Sequence, residues 1–105
     1  MSEKAYEAIE VAKKTGKIKK GTNEVTKVIE KGTAKLVVVA QDVSPKEIIM
    51  HIPMLCKEKN VPYIEVPSRE ELGAAAGMPV PTVAVAITEP GDAAATISRI
   101  AKKEE

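Results

Sequence analysis

The run Leu36-Val37-Val38-Val39-Ala40 most narrows what this chain can fold into. Its residues are all apolar and β-branched at the centre, whereas a strand with one wet face would carry a polar side chain at every second position. The run therefore predicts a strand covered on both faces and central in a sheet. At 105 residues and 44% apolar content the chain can form one domain with a core of modest size. The other segments must provide the neighbouring strands and two covering layers.

Those segments alternate. Ser2 to about Thr15 places Ala5, Ala8, Ile9 and Ala12 on one helical face, with Gly16 as the stop. Lys17 to Lys20 alternates around Ile18 and reads as an edge strand or an extended linker, its lysines discouraging further pairing. After Gly21, Val25, Val28 and Ile29 recur at helical spacing as far as Gly32. Ser44-Pro45-Lys46-Glu47 has the form of a capping box with proline at the first helical position, opening a helix through Ile48 and Ile49 towards His51. Pro53 demands a kink or a fresh start, and Met54, Leu55 and Glu58 continue in helical style to Asn60. Tyr63 to Val66 is a second strand, and a second capping box at Ser68 to Glu71 starts a helix carrying Leu72, Ala75 and Ala76, stopped at Gly77. Met78-Pro79-Val80-Pro81 is a constrained loop, Val83 to Thr88 a third strand, and Asp92 the cap of a last helix with Ala93, Ile97, Ile100 and Ala101 inward. The alternation predicts an α/β fold: a three-layer α/β/α sandwich with a small mixed central sheet, one domain over 1–105.

Several function classes drop out. Cys56 and His51 are the only residues of their types, so one chain cannot build a His/Cys metal cluster, a disulfide or a Cys-x-x-Cys site. No phosphate loop with Gly-Lys-Ser/Thr and no nucleophile elbow occurs, so an enzyme, a cofactor and a metal are not expected. His51 lacks triad partners and reads as a packing or capping residue; Cys56 reads as a small buried hydrophobe. The longest apolar run, residues 36–40, is far below the ~20 residues of a bilayer span, so no membrane insertion or export and a cytoplasmic location are expected. The two aromatic residues, Tyr6 and Tyr63, cannot form the stacking platforms on which many single-strand readers rely.

The formal charge is only +1, but it is unevenly spread. Residues 1–35 hold nine lysines against five glutamates, and residues 36–105 hold seven basic against ten acidic side chains, which makes the first third the candidate anion-facing part. On the second helix Asn23, Glu24, Lys27 and Lys31 lie opposite Val25, Val28 and Ile29. The glycine-led helix start adds unpaired N–H groups around Gly21, Thr22 and Asn23, suited to a phosphate. A carboxylate can accept from guanine N1–H and N2–H, an amide both donates and accepts, and a lysine reaches guanine N7 and O6. Glu24 would repel phosphate unless a base edge lies over it. An ordinary Glu24–Lys27 helical ion pair explains the same spacing, so the residues alone leave both readings open.

The strings Gly16 to Lys27, Gly32 to Ala40, Pro53-Met54-Leu55-Cys56 and Val61-Pro62-Tyr63 resemble the archaeal large-subunit ribosomal proteins of the L-seven-Ae family. Leu72-Gly73-x-Ala75-Ala76-Gly77, Val85-Ala86-Ile87 and Gly91-Asp92 extend the likeness in the same order, from about residue 5 to residue 100. The resemblance implies a non-enzymatic, ribosomal and ribonucleoprotein RNA-binding protein that recognises the kink-turn, a duplex sharply bent at an internal loop with tandem sheared G·A pairs. It implies that Asn23, Glu24 and Lys27 read guanine edges and that Gly21 and Thr22 hold the approaching backbone. Lys20, Lys31 and Arg69 would contact phosphates, Ile48 would pack near the loop, and Met78, Pro79 and Val80, with Val83 behind, would cover a flipped-out nucleotide. The implied partners are kink-turns in ribosomal RNA, in small guide RNAs and in ribonuclease P RNA, with guide-complex proteins and the ribosome; free, the protein would be a monomer. A non-ribosomal paralogue, or a protein-interaction module using the Ala-rich last helix and the Met78 loop, is the alternative.

Overall fold

The structure, a computed structural model, describes residues 2–42 and 49–98. In chain order these form α1 (Ser2–Thr15), β1 (Lys17–Lys20), α2 (Thr22–Glu30), β2 (Leu36–Ala40), α3 (His51–Lys59), β3 (Tyr63–Val66), α4 (Arg69–Ala75) and β4 (Ala84–Glu89). A 3-10 turn at Gly91–Ala93 follows, and residues 94–98 are helical. The four strands make one mixed sheet in the order β1-β4-β2-β3, in which β2 pairs parallel with β3 and antiparallel with β4. β1 pairs antiparallel with β4 and is an edge strand, with a register irregularity between Lys17 and Ile18. α1 and α4 pack together on one face, and α2 and α3 on the other. This is the expected α/β/α sandwich.

β2 is buried at all five positions, as its unbroken apolar run requires. The largest fully buried side chains are Ile9, Ile29, Leu36, Ile52, Leu72 and Ile87, so branched aliphatics fill a core that has no phenylalanine or tryptophan to draw on. α1 turns Ala5, Ala8 and Ala12 inward, and such small side chains let its backbone approach the sheet closely. At Gly16 a Cβ would run into the Glu89 carbonyl, which brings the end of α1 onto the end of β4.

Helix ends follow local chemistry where that chemistry is local. Ser68 Oγ accepts from the Glu71 N–H at 3.2 Å, the N-cap arm of the expected capping box. Gly32 and Gly77, at φ 75° and 76°, end α2 and α4 with paired turn bonds. In α4 these run from Met78 N–H to Gly73 O and from Gly77 N–H to Ala74 O, at 2.9 and 3.0 Å. Pro53 resolves as a fresh start: α3 begins at His51, so the proline occupies the first turn, where no intrahelical donor is lost. The capping box at Ser44 to Glu47, the helix through Ile48, and the inward Ile100 and Ala101 lie outside the described residues. Two expectations shift. The strand begins at Ala84 instead of Val83, and Asp92 lies inside the 3-10 turn, where Pro90 holds the N-cap position. Asp92 N–H donates to Thr15 Oγ1 at 2.9 Å, tying that turn to α1 across a distance in sequence that no local pattern displays.

Leu72→Ala removes a fully buried side chain from beneath α4 and should destabilise the protein by about 2–5 kcal/mol in urea titrations, while exposed Glu70→Ala should stay within about 0.5 kcal/mol.

Candidate nucleic-acid interface

β1, β2 and β3 all finish at one end of the sheet, and antiparallel β4 starts there. Segments remote in sequence are therefore neighbours at that end. Gly21 N–H donates to Ala84 O at 2.9 Å, Ala40 N–H to Val83 O at 2.9 Å, and Gln41 N–H to Val66 O at 2.8 Å. The Asp42 carboxylate accepts from the Arg69 N–H at 2.9 Å, holding the start of α4. Tyr6 OH donates to Ser68 O at 3.4 Å, and burial, followed by the nearby Glu71 carboxylate, raises its phenol above the usual 10.0.

Gly21 has φ 94° and ψ 150°, a backbone region essentially reserved for glycine. A Cβ there would meet nothing within 4 Å, so the backbone angle, not crowding inside the protein, demands glycine, and the outer side stays open. Gly21 has no side chain to cap α2, and no side-chain cap bond forms. The first-turn amides thus lack the internal partner that a serine or aspartate would supply.

Beyond this start Val25, Val28 and Ile29 face the core, and Asn23, Glu24, Lys27 and Lys31 are exposed. Glu24 and Lys27 form an i,i+3 ion pair at 3.8 Å with both side chains more than half exposed, an interaction worth at most about 1 kcal/mol. Thr26 steadies this helix. Its hydroxyl donates to Thr22 O at 2.8 Å, and with its one proton so engaged it accepts from His51 Nε2–H, also at 2.8 Å. His51 therefore clips α3 to α2, consistent with a packing role.

The loop after α4 borders the same end. Thr82 N–H donates to Arg69 O at 3.2 Å, and a Cβ on Gly73 would collide with the Val80 carbonyl, so loop and helix lie in close contact. Between them is an open groove of about 320 Å³ lined by Glu70, Ala74, Met78, Pro79, Val80 and Pro81. Val80 is 54% exposed, Pro79 is exposed, and Met78 and Val83 are half-buried.

Lys20, Gly21, Thr22, Asn23, Glu24 and Arg69 thus gather with Met78, Pro79, Val80 and Val83 at one sheet end, and Lys27 lies one turn along α2. Lys31, the C-cap of α2, stands apart at the other end of that helix. Ile48 lies outside the described residues. Sequence reasoning missed Asp42, Gly73 and the Thr26–His51 pair. Only Gly73 left a trace, as a glycine inside a helical pattern, which costs about 1 kcal/mol against alanine unless packing requires it.

Residues 3–97 match the ribosomal protein L7Ae/L30e/S12e/Gadd45 family. Among solved structures, the chain is similar to the Giardia lamblia 15.5kD RNA binding protein, with a TM-score of 0.91 and 32% sequence identity over 97% of this chain and 85% of that one.

Gly21→Ala should cost about 1–3 kcal/mol of stability through backbone strain alone. Gly16→Ala should be destabilising through collision with Glu89, and denaturation of both variants checks the contrast.

Proposed function

The chain belongs to the ribosomal protein L7Ae/L30e/S12e/Gadd45 family, and on that premise we propose that it binds RNA at the α2-led end of its sheet and there recognises kink-turns. It is non-enzymatic. The observation that carries this reading is the exposed row Asn23, Glu24, Lys27, placed just after a glycine whose outer side is open.

The chemistry divides naturally. Gly21 and the first-turn amides of α2 approach the sugar-phosphate backbone, where helix N–H groups favour an anion. Glu24 accepts from guanine N1–H and N2–H, Asn23 bridges donor and acceptor edges, and Lys27 donates to N7 or O6. Forming these contacts requires the Glu24–Lys27 pair to open, a small cost for a pair so exposed. Base edges supply sequence information, while Lys20 and Arg69 position the backbone. Pro79 and Val80 give an unpaired nucleotide an apolar cover, so the site works without aromatic stacking.

Only the bent RNA offers the backbone, the sheared purines and the extruded base together. Binding therefore shifts the RNA population from extended to bent by as much as the contacts differ between the two. Kink-turns of ribosomal RNA, of box C/D and H/ACA guide RNAs and of ribonuclease P RNA are the RNA partners of this reading. Guide-complex proteins and the ribosome are its protein-containing partners, with a cytoplasmic monomer as the free form.

Gel shifts test it with a kink-turn RNA and a control whose sheared G·A pairs are replaced by Watson-Crick pairs. Wild type should prefer the first, and Asn23→Ala or Glu24→Ala should each lose about 1–3 kcal/mol of binding, as expected for loss of a good base contact. Folded Glu24→Ala binding both RNAs as wild type does would remove the assigned reading face.

A further inference from the structure

Among the described residues, six of the eleven lysines lie away from the candidate interface. They gather at the opposite end of the sheet, where α1, α2 and α3 finish and β1 and β2 begin. Lys14, Lys17, Lys31, Lys35, Lys57 and Lys59 are all exposed there, against Glu30, Glu58, Glu89 and Asp92. At the interface end, Lys4, Lys20, Lys27 and Arg69 share the surface with Glu24, Asp42, Glu70 and Glu71.

Helix ends explain part of this. Lys14, Lys31, Lys57 and Lys59 lie in or just after last turns, where the outward carbonyls favour cations. Lys17 and Lys35 are not on helices. Lys17 stands opposite Glu89 in the β1–β4 register, and Lys35 N–H donates to Ile87 O at 2.6 Å on the other side of β4. The two lysines thus flank the end of one strand, their Cα atoms about 10 Å apart across two strand spacings. None of the six lysines makes an ion pair among the described residues.

α2 joins the two ends. Lys27 and Lys31 lie one turn apart on the face that carries Asn23 and Glu24, and the helix advances about 12 Å from Asn23 to Lys31. We infer that an RNA stem leaving the bend runs along α2 and across this lysine end, its phosphates held by Lys17, Lys31, Lys35, Lys57 and Lys59. The inference rests on the RNA-binding reading above and extends it from the bend to a flanking duplex. A nucleic-acid backbone suits the surface better than an acidic protein does, because the patch continues the α2 face. Flexible ammonium point charges also match a line of phosphates without needing shape complementarity.

The test compares wild type with the K17Q/K35Q/K57Q/K59Q protein on a kink-turn RNA with short stems and on the same RNA with each stem lengthened by one helical turn. Salt titrations are run on both, and on the Watson-Crick control in both lengths. With wild type, lengthening one stem should steepen the slope of log affinity against log salt by about 3.6 units, 0.9 for each of Lys17, Lys35, Lys57 and Lys59, since the short stem already reaches Lys31 along α2. The variant should show the same shallow slope on both lengths and should match wild type on the short RNA. Equal slopes for wild type on both lengths would overturn the inference, as would an equal loss by the variant on short and long RNA. Loss by the variant of binding to phosphatidylserine vesicles, with RNA binding unchanged, would assign the patch to a lipid surface and overturn it too. If wild type failed to distinguish kink-turn from control but kept its stem-length dependence on both, the kink-turn reading would fall and the stem contact would stand.

Discussion

Val37, Val38 and Val39 turn no face to water, so β2 keeps its place only while helices cover the sheet on both sides. Full burial of a valine side chain is worth roughly 1.5–3 kcal/mol, and because successive side chains point to opposite faces, loss of either helical layer forfeits that gain for the valines on its side. This constraint propagates. A parallel neighbour, β3, needs a crossover, which α3 provides on one face, while α4 returns the chain over the other to antiparallel β4. The outcome is a sheet whose ends differ: one collects the segments after three strands and before the fourth, and the other collects the carbonyl ends of three helices.

The first of these ends is built for approach. Gly21 adopts a backbone conformation that side chains resist, Asn23 and Glu24 follow at once, and hydrogen bonds to Ala84 and from Thr26 to Thr22 hold the start of α2 in position. The polar groups stay in water while the backbone beneath them is fixed. Such an arrangement has little ordering left to do when a ligand arrives, which is where much of the cost of association lies.

Periodicity and caps made most of the architecture legible. The five-residue apolar run of β2, the Val25-Val28-Ile29 spacing of α2, Ser68 with Glu71, and Gly77 all state their roles within a few residues. What could not be read depends on partners far along the chain. Asp42 accepting from Arg69, Thr15 accepting from Asp92 and His51 donating to Thr26 are bonds between elements whose adjacency exists only after folding. The shift of the last strand from Val83 to Ala84 has the same origin, since its first residue is set by pairing with β2 and not by its own propensity. At the candidate site, helical geometry was enough to group Asn23, Glu24 and Lys27 on one face. It could not show that the Met78 loop borders that face.

Tyr6 and Tyr63 are the only aromatic side chains in the chain. Tyr6 sits at the Ser68 corner beside the candidate interface, and Tyr63 opens β3 at the lysine-rich end. With no tryptophan to mask them, the two phenols are native fluorophores stationed at opposite poles of the sheet. Replacing either with leucine would leave a single emitter, so that quenching by a bound molecule could be assigned to one pole or the other without attaching a dye.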